Sequence, residues 1–406
     1  WYKPAAEQGL PEAQYRLGFC YANGYGVKQD YKEAFRWYKA AAEQGYYLAQ
    51  SAVGYCYEYG EGVKQDYYEA VRWYKAAAEQ GDNLAQSALG FCYANGKGVK
   101  QDYYEAFRWY KAAAEQGYYL AQSALGFCYE YGQGVKQDYY EAVRWYKAAA
   151  EQGDNLAQSA LGFCYANGKG VKQDYYEAFR WYKAAAEQGY PIAQGMLGSF
   201  YYLGKGANKD YNEAFRWFKA AAEQGNANAQ FCLGICYVNG QGVKQDYDEA
   251  FRWFKAAAEQ GNAKAQYSIG LCYELGQGVK QDYYEAVRWY KVAAEQGDSD
   301  AQCSLGNCYY FGEGVRQDYN EAFRWFKAAA EQGESYAQNF LGNCYENGKG
   351  VRQDYKEAYY WYLISYRNGY TDGEQDIKRI ENILTYQQKQ EVQKRVNDWF
   401  KTHPKE

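Results

Sequence analysis

The chain has 406 residues and a formal net charge of −5 from 45 basic and 50 acidic groups, so it lacks the basic excess that holds nucleic acid. Its hydrophobic fraction is 48%, yet no apolar run reaches the roughly 18 residues of a membrane span. The length alone would suggest two or three globular domains, but a repeat overrides that prior.

The glycine that closes the phrase A-E-Q-G stands at Gly9, Gly45, Gly81, Gly117, Gly153, Gly189, Gly225, Gly261, Gly297 and Gly333, and the register runs on to Gly369. A fixed 36-residue period marks a solenoid, in which each unit contacts only its neighbours. Residue types shared by all units serve stacking. Function is to be sought where units differ.

The chain opens in mid-unit. Trp1–Gly9 aligns with Trp37–Gly45, so residues 1–9 read as the second helix of a truncated repeat. There is no initiator methionine, which reads as a fragment or processed form. The open N-terminal end is expected to fray before about residue 10 or to self-associate end to end.

Residues 10–369 read as ten complete repeats. In the first, Ala13, Leu17, Cys20, Tyr21 and Gly24 share one helical face, which predicts a helix over about 11–23. Gly18 interrupts it at a helix cost of about 1 kcal/mol, so close approach of a neighbouring helix backbone is expected there. Gly24-Tyr25-Gly26-Val27 turns the chain. Asp30 is expected to cap a second helix over about 30–44, with Glu33 completing a capping box. Ala34, Trp37, Tyr38 and Ala41 form its buried stripe. The Trp37 series supplies the large core pieces, each worth about 3–5 kcal/mol on truncation. Neither helix can bury its stripe alone, so an all-α stack of helix-turn-helix units is expected.

Nine of the eleven cysteines hold the register of Cys20: Cys56, Cys92, Cys128, Cys164, Cys236, Cys272, Cys308 and Cys344 follow it. Equivalent positions in stacked helices lie about 8–10 Å apart or more, too far for a disulfide. They read as small buried residues, which mildly favours a reducing, cytoplasmic compartment, with a periplasmic or secreted location left open. Gly-x-Gly recurs ten times, but each copy follows a helix rather than a strand, so it reads as a turn and not a phosphate cradle. The arginines at the Arg36 register, flanked by Glu33 and Glu43, read as a solvated ion-pair network. His403 is the only histidine, which removes most zinc sites and histidine-based catalysis. No cofactor, metal site or enzymatic activity is expected.

The tail, residues 370–406, departs from the pattern. Ile377, Ile380 and Ile383 keep an apolar stripe. Thr385 with Gln388 can cap a last helix whose Val392, Val396, Trp399 and Phe400 fold back on the final pair.

The unit Ala13…Leu17-Gly18…Tyr21…Gly24-Tyr25-Gly26-Val27…Asp30…Ala34…Trp37…Ala41-Ala42…Gly45 resembles the Sel-one-like repeat (SLR) family, relatives of the tetratricopeptide repeats. The likeness covers about nine-tenths of the chain. It implies a right-handed superhelix with each first helix lining the concave side, and a role as adaptor or scaffold between proteins. Bacterial members are associated with host-cell interaction, envelope and polysaccharide regulation, and immunity against secreted toxins; a eukaryotic branch serves quality control in the endoplasmic reticulum.

The first-helix face opposite the core, at the register of Tyr15, Phe19 and Ala22, is the part that stacking does not dictate. Its aromatic and acidic residues are the candidate partner-binding set: Tyr15, Phe19, Tyr55, Glu58, Phe91, Phe127, Glu130, Phe163, Tyr202, Phe231, Ile235, Tyr267, Leu271 and Tyr310. A line of aromatics suits an extended peptide or a partner's helix, while part of the face can instead pack on neighbouring helices. Residues 81–116 and 153–188 are identical, so matching patches there can be undiverged copies rather than evidence of multivalency. The expected function is a non-catalytic scaffold for a protein or peptide. The rivals are an immunity protein that clamps a toxin, an end-to-end assembly protein, and a hydrolase grafted on the scaffold.

Overall fold

Asp30 and the glycines at 24 and 45 punctuate each repeat into two helices. In the computed structural model, which describes residues 2–403, the described helices as far as Tyr355–Arg367 fit that scheme, a short 3-10 turn and two further helices follow, and no strand occurs among the described residues. Trp1, which begins the truncated repeat, lies outside them, as do residues 404–406. One compact unit ends at Lys209 and a second begins at Asp210. The first unit holds α1 (Lys3–Glu7), α2 (Pro11–Asn23), α3 (Tyr31–Glu43), α4 (Tyr47–Tyr59), α5 (Tyr67–Glu79), α6 (Asn83–Asn95), α7 (Tyr103–Glu115), α8 (Tyr119–Tyr131), α9 (Tyr139–Glu151), α10 (Asn155–Asn167), α11 (Tyr175–Glu187) and α12 (Pro191–Leu203). The second holds α13 (Tyr211–Glu223), α14 (Ala227–Asn239), α15 (Tyr247–Glu259), α16 (Ala263–Leu275), α17 (Tyr283–Glu295), α18 (Ser299–Phe311), α19 (Tyr319–Glu331), α20 (Ser335–Asn347), α21 (Tyr355–Arg367), α22 (Glu374–Glu381) and α23 (Tyr386–Thr402).

The helix ends follow the expected chemistry, with one exception. Asp30 accepts from the Lys32 and Glu33 amides at 2.9 and 3.1 Å. The reciprocal half of the capping box does not form. The Asp30 amide already donates to the Tyr21 carbonyl at 2.9 Å, and Glu33 pairs with Arg36 at 3.4 Å instead. Gly24 ends α2 in the left-handed region at φ +71°.

The mid-helix glycine makes room for a ring, not for a helix backbone. A Cβ on Gly54 would stand 2.6 and 2.7 Å from ring carbons of Tyr74. The Tyr38 register is therefore the keystone within each repeat, and Tyr74, Tyr182, Tyr290, Phe254, Phe326 and Tyr362 are among the largest fully buried side chains. The tryptophans act between repeats: Trp109 joins Ala70, Val71 and Tyr74 of the preceding repeat to Leu89 of its own. Several others, Trp37 and Trp73 among them, are only half-buried.

A glutamine clasp, not foreseen from the sequence, ties the units. Gln14 is buried and donates to the Ala6 carbonyl at 3.2 Å, while Gln44 donates to the Gln14 side-chain oxygen at 2.8 Å. The pattern recurs, for example through Gln86, Ala78 and Gln116. It saturates polar groups that burial would otherwise penalise. The expected fraying before residue 10 thus meets an opposing contact, because α1 is helical and buried Ala6 is held by Gln14.

The eleven cysteines are free thiols, and all of the Cys20 series except Cys20 itself are buried. Burial pushes the Cys56, Cys92, Cys128 and Cys164 thiols up to about 12. An unfolded thiol titrates near 8.5. Between these values the unfolded chain is ionised and the folded one is not, so the stabilisation is complete below pH 8 and is lost as pH rises through 12. Stability is expected to fall by about 1.4 kcal/mol per pH unit for each such cysteine. Urea midpoints at pH 8 and pH 10 test this; replacing these four cysteines with alanine should flatten the decline.

At the C-terminal end, Thr385 and Gln388 form the expected capping box. Val392 and Val396 are fully buried, and Trp399 and Phe400 pack against the α20–α21 core. Ile377 and Ile380 are buried as expected, but Ile383 is half-exposed and Leu384 takes its place.

Candidate binding groove

The first helices present register 15 and register 19 side by side, one turn apart. What fills register 15 decides whether that position packs on the core. Where it is aromatic, its ring lies against the keystone ring. Tyr15 lies 5.7 Å from Tyr38, Phe231 5.8 Å from Phe254 and Tyr267 5.7 Å from Tyr290. These three candidates are packing residues, and Ile235 and Leu271 beside them are also half-buried against the core. Tyr202 is half-buried on α12. Tyr310 is buried; its hydroxyl donates to Asn343 at 2.8 Å and its ring meets Tyr319 and Phe340.

Where register 15 is serine, the face opens. Ser123 and Ser159 floor a cavity of about 690 Å³ within the first unit. Phe127 and Phe163 stand on one side, exposed by 46% and 37%, and Leu120, Leu156 and Ile192 line it as well, also exposed. Tyr131 lies against Phe127 in a tilted contact at 4.4 Å between ring centres. A smaller cavity of about 390 Å³ in the same register lies between Phe19 and Tyr55, with Tyr15 in its wall. Phe91 is exposed on α6. The aliphatic row at Leu48, Leu84, Leu120, Leu156 and Ile192 was missed by the sequence reading; its signal was an apolar residue kept at one register through five repeats and replaced by Asn228, Lys264 and Asp300 afterwards.

Glu58 and Glu130 do not project from the face as expected. Both are buried, because each accepts the hydroxyl of a keystone tyrosine: Tyr74 to Glu58 and Tyr146 to Glu130, each at 2.7 Å. Glu130 still forms part of the cavity wall, together with Asp154, whose carboxylate accepts the Ala157 amide at 2.6 Å and the Ser123 hydroxyl at 3.1 Å. No lysine or arginine lines the cavity.

The remaining polar residues are engaged elsewhere. Arg36 and its copies pair with the glutamate three residues earlier, as in Arg216–Glu213 at 3.0 Å, on exposed surface. The Gly-x-Gly copies follow helix ends. His403 is exposed at the end of α23, its ring stacked on Trp399 at 3.8 Å. Among the described residues no group of three or more His, Cys, Asp or Glu could hold a metal, and no helix is long and apolar enough to cross a membrane.

Stacked helix pairs with an apolar face left open on successive first helices define a helical-repeat scaffold of the kind suited to protein–protein interaction. The chain belongs to the Sel1 repeat family, whose profile matches eleven successive segments from residues 1–10 and 11–46 through 335–370. It is similar to the SLR-fold protein c5321, a protective antigen present in uropathogenic Escherichia coli strains, with 39% identity over 99% of this chain and 86% of that one and a TM-score of 0.90. A Sel1 repeat protein from Oxalobacter formigenes is 35% identical over 75% of this chain and 88% of its own, with a TM-score of 0.56. The immunity protein Pa5087 from Pseudomonas aeruginosa, at 18% identity over 54% and 83% and a TM-score of 0.36, is too distant to bear on function. No curated protein matches the chain in sequence.

Proposed function

We propose that this chain is a non-catalytic scaffold that binds a partner protein in the groove formed by α6, α8, α10 and α12. One observation carries the reading: two rows of apolar side chains flank an open cavity in the first unit, and neither the fold nor any stacking requirement covers them. The carboxylates at hand are caps or hydroxyl partners, and the single histidine is remote from the cavity in sequence and stacks on Trp399.

Replacing Phe91, Phe127 and Phe163 together with serine should weaken partner binding at least about tenfold, because Phe127 and Phe163 line the cavity and Phe91 is an exposed ring at the same register on α6. Helicity should be nearly unchanged, since all three rings are more than a third exposed. Circular dichroism and titration with the partner are the measurements. Unfolding of the triple variant would make this face a packing surface and end the proposal.

A further inference from the structure

In the last repeat the chain itself supplies the counter-charge to a buried carboxylate whose copy in the groove has none. In the last repeat, Tyr362 donates its hydroxyl to Glu346 at 2.7 Å. Arg379 of α22 completes the site: its Nε and an Nη reach the two oxygens of Glu346 at 2.6 and 2.7 Å. Burial alone would raise the Glu346 carboxyl, but Arg379 and the tyrosine hydroxyl outweigh it and hold the group below the usual carboxylate range.

Six repeats earlier the same register holds Tyr146, Glu130 and, in place of Arg379, Phe163. The tyrosine–glutamate pair is intact at 2.7 Å, Glu130 is 6% exposed, and it lines the 690 Å³ cavity. Yet among the described residues no lysine or arginine pairs with it. Lys169, which follows Phe163, instead rests its ammonium over the rings of Phe163 and Tyr139, 4.9 and 5.1 Å from their centres. A buried carboxylate without a counter-charge is costly unless something supplies one. The second carboxylate in the wall, Asp154, adds to the negative field of a cavity that has no basic lining residue.

We infer that the groove takes an arginine side chain of the partner, its guanidinium reaching Glu130 beside Tyr146 from the open cavity with the forked pairing that Arg379 makes with Glu346. The inference rests on the groove reading above and adds the chemistry of the occupant. Arginine is selected over lysine because its planar fork meets both carboxylate oxygens at once. Phe127, Phe163 and Leu156 supply apolar walls for its methylene stem and for the flanking residues.

A random dodecapeptide library panned against the full chain tests this. Peptides that occupy the groove are those lost on Phe127→Ser/Phe163→Ser. They are expected to carry an arginine among apolar residues and to bind Glu130→Gln about tenfold more weakly, the scale of one charge-assisted pair. Glutamine keeps an oxygen for the Tyr146 hydroxyl; should its melting temperature nevertheless fall, displacement of a bound peptide from the unmodified chain by arginine amide but not by norleucine amide gives the same answer. Groove peptides without arginine that bind Glu130→Gln unchanged would overturn the inference and leave the groove standing. Peptides indifferent to the double serine variant, or no binders at all, would overturn the groove reading and the inference with it.

Discussion

Tyr74→Ala should destabilise the first unit by at least about 4 kcal/mol, more than Trp73→Ala beside it. Two losses combine. The ring is 1% exposed and fills the space that Gly54 leaves open, so its removal belongs with the large aromatic truncations that cost about 3–5 kcal/mol. Its hydroxyl is also the donor that satisfies Glu58, itself buried, and an orphaned buried carboxylate adds its desolvation penalty. Tyr74→Phe separates the two, leaving the packing and removing only the hydrogen bond, for about 1–3 kcal/mol. Trp73 is half-buried and keeps some of its surface in water already, so less is lost with it. Urea denaturation combined with hydrogen exchange across α4 and α5 would rank the three variants. If Trp73→Ala proved as damaging as Tyr74→Ala, the keystone would be the tryptophan.

That ranking also marks where the sequence stopped being legible. Period, helix limits and caps could be read directly, because Asp, Gly and the apolar stripe each act on their own few neighbours. The tail's capping box was legible for the same reason. Size alone, however, put the tryptophans at the centre, and only geometry shows that register 38 lies under the glycine while register 37 bridges to the preceding repeat. The capping box at Asp30 failed on a contact that no local pattern contains: the Tyr21 carbonyl, nine residues back, had already taken the amide. The candidate face divided in the same way. Phe91, Phe127 and Phe163 are exposed, each with a serine one turn earlier, and so is Phe19 beside Tyr15. Tyr15, Phe231 and Tyr267 are filled in because an aromatic at that register reaches the keystone ring. Glu58 and Glu130 looked like surface charges, and their partners, sixteen residues later, lie on the other helix of the pair.

Gly98→Ala should be far more damaging than Gly26→Ala, although the two glycines share one register and nearly one conformation. Both lie in the left-handed region, at φ +69° and +71°. For any residue with a Cβ that conformation costs about 1–2 kcal/mol, so this share of the penalty is common to both. The difference is what stands opposite. A Cβ on Gly98 would overlap the Tyr67 carbonyl at the start of α5, the second helix of the preceding repeat, whereas a Cβ on Gly26 meets nothing within 4 Å. Backbone cannot swing aside as a side chain can, so Gly98→Ala must push the two repeats apart or distort the turn. A further loss of about 1–3 kcal/mol, the range for overpacking a tight site, is expected on top of the shared cost. From Gly62 onward the second glycine of each Gly-x-Gly is then an inter-repeat contact, and the first, at Gly24 and its copies, is a helix stop. Equal destabilisation of the two variants in thermal melts would show that conformation alone accounts for the motif and that the close approach between repeats contributes nothing.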